Sequence, residues 1–229
     1  MGRGIGRALE KAIAHEEGGA TPGARGSLLM HPQRRELFRL LCLRPCSSAG
    51  ELSRQSGASP NAVRYHLERL TAAKLVVRGA GATYSPRGFI DPADGAVFRA
   101  LAEGSTRKIY RTVMEAPGST QRELAESLGV SRQAVFKSTN LLETQGLLTS
   151  IEDGRFRRCY PTDLLARRRE ANRARAKSFA DVLLKELVSE GLTPQILRRT
   201  DRGILTRIAR GRTSETLDLS LDPFTTVLE

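Results

Sequence analysis

STQRELAESLGVSRQAVFKSTNLLETQGLL, residues Ser119–Leu148, lies over SSAGELSRQSGASPNAVRYHLERLTAAKLV, residues Ser47–Val76, at a constant offset of 72. Ser47 meets Ser119, Glu51-Leu52 meets Glu123-Leu124, Gly57 meets Gly129 and Ser59 meets Ser131. Ala62-Val63 then meets Ala134-Val135, and Leu70 and Leu75 meet Leu142 and Leu147. Working outward, Arg35 falls on Arg107, Leu37 on Ile109 and Phe38 on Tyr110 at the same offset. Punctuation residues and apolar residues match together, so the chain holds an internal duplication.

Each copy reads as three helices and a hairpin. The first helix of copy one, near 31–43, carries Leu37, Leu40 and Leu41 on one stripe and stops before Pro45. Ser48-Ala-Gly-Glu51 and Thr120-Gln-Arg-Glu123 are capping boxes, in which hydroxyl and carboxylate satisfy each other's orphan amides. Glycine turns follow at Gly57 and Gly129, and Ser59 and Ser131 cap the third helices. Pro60 takes the favoured first helical position in copy one. Short strands come next, Leu75-Val-Val77 and Leu147-Leu-Thr149. The tips are Gly79-Ala-Gly-Ala82 and Asp153-Gly-Arg155, and the return strands hold Tyr84 and Tyr160. Those tyrosines are 76 apart, which predicts a second hairpin about four residues longer than the first.

This order of elements resembles the winged helix-turn-helix group of MarR- and ArsR-like regulators. The resemblance rests on RYHLERL at Arg64–Leu70 and GVSRQAVFKSTNLLETQGLL at Gly129–Leu148. It implies a mainly α fold with small β-hairpin wings, the third helix in the DNA major groove and the wing on the adjoining backbone. ArsR-like metal sensors carry a Cys-x-Cys that this chain lacks, so no metal is expected.

Helical spacing places Val63, Leu67 and Leu70 inward in copy one, leaving Asn61, Arg64, Tyr65 and Glu68 outward. In copy two Val135, Thr139 and Leu142 turn inward, and Arg132, Gln133, Phe136, Lys137 and Asn140 turn outward. Arg, Gln and Asn are the types that read guanine and adenine bidentately. The second wing adds Arg155, Arg157 and Arg158, whereas the first wing is nearly uncharged. Copy two is therefore expected to be the better DNA reader.

The segments divide as 1–29, a glycine-rich flexible stretch with a short amphipathic helix near 5–17; 30–88 and 105–162, the winged units; and 89–104, a connecting helix. Residues 163–191 form a long helix, basic at Arg167, Arg168, Arg169, Arg173, Arg175 and Lys177 and apolar from Phe179 to Val188. Its basic half suits phosphates, and its apolar half suits either a second copy of the chain or the chain's own winged unit. Residues 192–229 read as a tail with a hairpin of Ile204–Ala209 and Thr216–Leu221, the first segment reading equally as a short helix.

Net charge is +12, and 37 residues are Lys or Arg, which suits a nucleic-acid partner. Cys42, Cys46 and Cys159 show no disulfide-like spacing, and no signal or membrane span is read, so a cytoplasmic, nucleoid-associated setting is expected. His15, His31 and His66 are too few and scattered for a His-based metal site. With no nucleotide loop or catalytic constellation, neither an enzyme nor a cofactor is expected. The sequence points to a double-stranded DNA-binding regulator acting as a homodimer, with any small-molecule effector unspecified. Two alternatives stay open: an architectural chromatin protein with little sequence preference, and a protein-docking or RNA-associated module.

Overall fold

The computed structural model describes residues 28–229; the amphipathic helix expected near 5–17 lies outside them. Leu29 falls within the expected N-terminal stretch, yet it is fully buried in a short 3₁₀ turn at Leu28–Met30 and belongs to the core.

The first unit runs α1 (Pro32–Leu43), β1 (Ser47–Ser48), α2 (Ala49–Ser56), α3 (Pro60–Ala72), β2 (Val76–Arg78) and β3 (Thr83–Pro86). After α4 (Gly95–Ala102) comes the second: α5 (Gly104–Glu115), β4 (Ser119–Thr120), α6 (Gln121–Leu128), α7 (Arg132–Thr144), β5 (Leu148–Asp153) and β6 (Phe156–Pro161). Every helix of the second unit begins 72 residues after its counterpart, so the offset read in the sequence is structural. Both capping boxes form, with Ser48 and Thr120 accepting from the amides of Glu51 and Glu123. Hydrogen bonds from the Thr120 amide and hydroxyl hold the Glu123 carboxyl below its usual range.

The wings differ by less than the tyrosines suggest. Val76 pairs with Pro86 and Leu148 with Pro161, so the return strands are offset by 161 − 86 = 75 and the second wing gains three residues, not four. Tyr84 and Cys159 are the equivalent positions, facing Ser47 and Ser119 across the ladder. The two tyrosines are not counterparts, so their spacing overstates the insertion by one residue.

Beyond the second unit, α8 (Leu164–Ser189) returns along the first. Phe179 packs between Phe38 of α1 and Phe89, at ring-centroid distances of 6.3 Å and 4.7 Å. Ala176, Ala180, Leu183 and Leu187 are buried beside it. Of the two partners open to this helix, its own chain covers most of the apolar face; Val182 and Val188 remain exposed.

Residues 193–220 form a three-stranded antiparallel sheet in the order β7-β8-β9, from β7 (Thr193–Arg199), β8 (Gly203–Arg210) and β9 (Thr213–Ser220). The Ile204–Ala209 segment is thus a strand, and the expected hairpin has a third partner. Ile204, Ile208, Leu217 and Leu219 are buried on one sheet face, and β9 lies along α1. A last short helix, α9 (Pro223–Thr226), sets Phe224 against Phe98 of α4 at 4.8 Å. The fold is mainly helical with three small antiparallel sheets.

Candidate nucleic-acid interface

The third helices are sealed inward and polar outward. In α3, Val63, Leu67 and Leu70 are fully buried while Asn61 and Arg64 are exposed, and Arg64 donates to the Asn61 side chain at 3.4 Å. Tyr65 is half-buried, its ring edge-on to His66 at 5.2 Å, and His66 lies 4.7 Å from the His31 ring. In α7, Val135, Thr139 and Leu142 are buried, whereas Arg132, Gln133, Phe136 and Lys137 are exposed and Asn140 is half-buried. Phe136 is 50% exposed on the same face as Gln133, an apolar surface among hydrogen-bonding groups. The α7 core is fixed partly by hydroxyls: Thr106 donates to Ser138 at 3.3 Å, and Gln121 donates to Thr139 at 3.2 Å.

The three wing arginines have different surroundings. Arg158 pairs with Asp153 at 2.7 Å and donates to the Gly118 carbonyl at 3.1 Å. Arg157 pairs with Glu143 of α7, whose carboxylate also accepts from Ser150. Arg155 stands at the tip with its guanidinium over the Phe156 ring at 5.2 Å, with no acidic partner among the described residues.

The basic half of α8 is largely neutralised within the chain. Arg168 lies 3.4 Å from Asp94, and Arg169 lies 2.6 Å from Asp222. Arg175 reaches Asp91 at 2.9 Å, while Arg167 and Arg173 pair on the helix with Asp163 and Glu170. Asp94 is 3% exposed; burial pushes its carboxyl above the usual carboxylate range, and the Arg168 guanidinium pulls it partly back. The pairs to Asp91 and Asp94 fasten α8 to the segment joining the two units, and the pair to Asp222 fastens it to α9. The sequence does not announce them, because Arg175 and Asp91 are 84 residues apart.

Cys42, Cys46 and Cys159 are free and buried, and burial raises the thiols of Cys46 and Cys159. No group of three or more potential metal-ligating side chains occurs among the described residues. No helix among them is long and apolar enough to cross a membrane.

A helix-turn-helix domain family model matches residues 29–78, and the MarR family model matches residues 111–158. The chain carries two winged helix-turn-helix domains. Among solved structures, a MarR-family transcriptional regulator from Rhodococcus sp. RHA1 is 18% identical, with 56% of this chain and 82% of that one covered at a TM-score of 0.29. The PcaV transcriptional regulator of Streptomyces coelicolor is also 18% identical, with 58% and 87% covered and a TM-score of 0.28. IdeR of T. acidophilum is 10% identical, with 85% and 94% covered and a TM-score of 0.22. No curated protein matches the chain. Domains of these families suggest DNA-binding transcriptional regulation. The second winged domain presents five adjacent candidates, Arg132, Gln133, Phe136, Lys137 and Asn140, on one helix.

Proposed function

We propose that the protein is a transcriptional regulator that binds double-stranded DNA through α3, α7 and the second wing. The observation that carries this reading is the outward face of α7, where Arg132, Gln133 and Lys137 are exposed over a sealed core. Each of the first two can engage a base edge bidentately, which discriminates by roughly 1–3 kcal/mol per contact. On α3, Asn61 holds the place of Gln133 and Arg64 that of Phe136, both exposed. Of the wing arginines, Arg155 is the one ready for phosphate or the minor groove without breaking an ion pair. The test is binding to several unrelated duplexes at fixed salt. Gln133→Ala should bring the affinities for preferred and non-preferred duplexes together by about tenfold. Unchanged preference would remove Gln133 from base readout.

The charge of +12 favours one further reading, a DNA coat with little sequence preference. Discrete footprints mark a regulator, and uniform protection marks a coat.

The homodimer part of the reading narrows to the apolar side chains that α8 leaves outside, Val182 and Val188, which are 52% and 58% exposed. A Val182→Glu, Val188→Glu variant should shift the light-scattering mass from two chains to one. A wild-type protein that already has the mass of one chain removes the dimer.

A further inference from the structure

The β8–β9 hairpin has no assigned role, and it is built like a wing. Its strands are eight residues each, against six in each strand of the second wing and three and four in the first. Arg210 pairs with Thr213, so the turn is the two residues Gly211-Arg212, with Gly211 at φ 60°. The second wing closes in the same way: Asp153 pairs with Phe156 around Gly154-Arg155, with Gly154 at φ 59°. A positive φ at the first turn position suits glycine and keeps the two strands in register, so the arginine that follows is held at a stiff tip. The first wing ends instead in Ala80-Gly81-Ala82, with no charge at its tip.

The position of this hairpin matters as much as its shape. Glu215 of β9 is paired with Arg35 in the first turns of α1 at 2.8 Å. His31, one turn before Arg35, faces His66 of α3, and His66 faces Tyr65 on the outward side. Glu215 and Thr213 are two apart on β9, so Arg210, opposite Thr213, lies on the sheet face that Glu215 turns to α1. Arg210 and Arg212 are exposed, with no acidic partner among the described residues.

We infer that the β8–β9 hairpin is the phosphate-gripping arm of the first winged domain, with Arg210 and Arg212 on the DNA backbone beside α3. It supplies the charge that the first wing lacks and gives each recognition helix one Gly-Arg hairpin. This inference rests on the DNA-binding reading above. Its partner is a phosphodiester backbone, since guanidinium groups on a rigid tip match phosphate without reading sequence.

The test uses the full chain with Arg210→Ala and Arg212→Ala together, titrated across a salt series against the tightest-bound of the unrelated duplexes above. Two lost contacts should make the slope of log affinity on log salt shallower by about 1.8 and lower affinity at 100 mM salt by about tenfold or more. Hydroxyl-radical protection should shorten at one end of the footprint. Both side chains are exposed, so thermal unfolding should not change, and Arg210→Lys with Arg212→Lys should restore the slope. Wild-type affinity and slope in the alanine variant overturn the inference while leaving the DNA-binding reading intact. Failure of the wild-type chain to bind any duplex overturns that reading itself.

Discussion

Phe179→Ala is expected to destabilise the protein by about 3–5 kcal/mol, the range for emptying a buried phenylalanine site. The ring is 6% exposed and fills the space between Phe38 and Phe89. It is the aromatic anchor by which α8, 26 residues long, is seated on the first winged domain. The exposed ion pairs along α8 contribute little each, about 0–1 kcal/mol, and cannot replace it. For a chain of this size the loss corresponds to a Tm lower by about 10 °C. The measurement is thermal or urea unfolding of the variant beside the wild type. It also decides between two roles for α8, because a helix reserved for a partner would not need this ring to hold the monomer together. A loss below about 1 kcal/mol, with a change in light-scattering mass, would return the apolar half of α8 to the dimer.

The duplication was legible because its signals are local. Capping boxes at Ser48 and Thr120, serine caps at Ser59 and Ser131, and the glycines between them each act within a few residues. Their spacing therefore survives in the sequence. The core stripes of α3 and α7 follow from helical periodicity alone. The strand β7 was not legible: it is an edge strand with Ile196 and Leu197 both exposed, a bulge between Ile196 and Arg198, and Pro194 near its start. Such a strand shows no alternation, and proline, a bulge and arginines are the devices that keep an edge from pairing with other chains. The environment of the α8 arginines was illegible for another reason. A basic run shows its charge in the sequence, but its partners Asp91, Asp94 and Asp222 come from distant segments that only the fold brings near.

Those pairings change what a salt series should show. Nine cations of the second wing and the first half of α8 looked available for phosphate: Arg155, Arg157, Arg158, Arg167, Arg168, Arg169, Arg173, Arg175 and Lys177. Seven of the nine are ion-paired with an acid of the chain and Lys177 acts on Asp181 one turn along α8, leaving Arg155. The pairs to Asp94 and Asp222 cannot be given up cheaply, because either carboxylate would be left buried without its cation. The phosphate contacts should come instead from Lys137, Arg155, Arg210 and Arg212. Four contacts at about −0.9 each give a slope near −3.6, so affinity should fall about 150-fold between about 50 and 200 mM salt. Replacing Arg167 and Arg173, whose pairs are exposed, should move that slope by less than about half a unit. A drop of about two units in that variant would place α8 on the DNA backbone after all. A slope near zero in the wild-type chain would remove DNA as the partner, since no protein gripping four phosphates can be indifferent to salt.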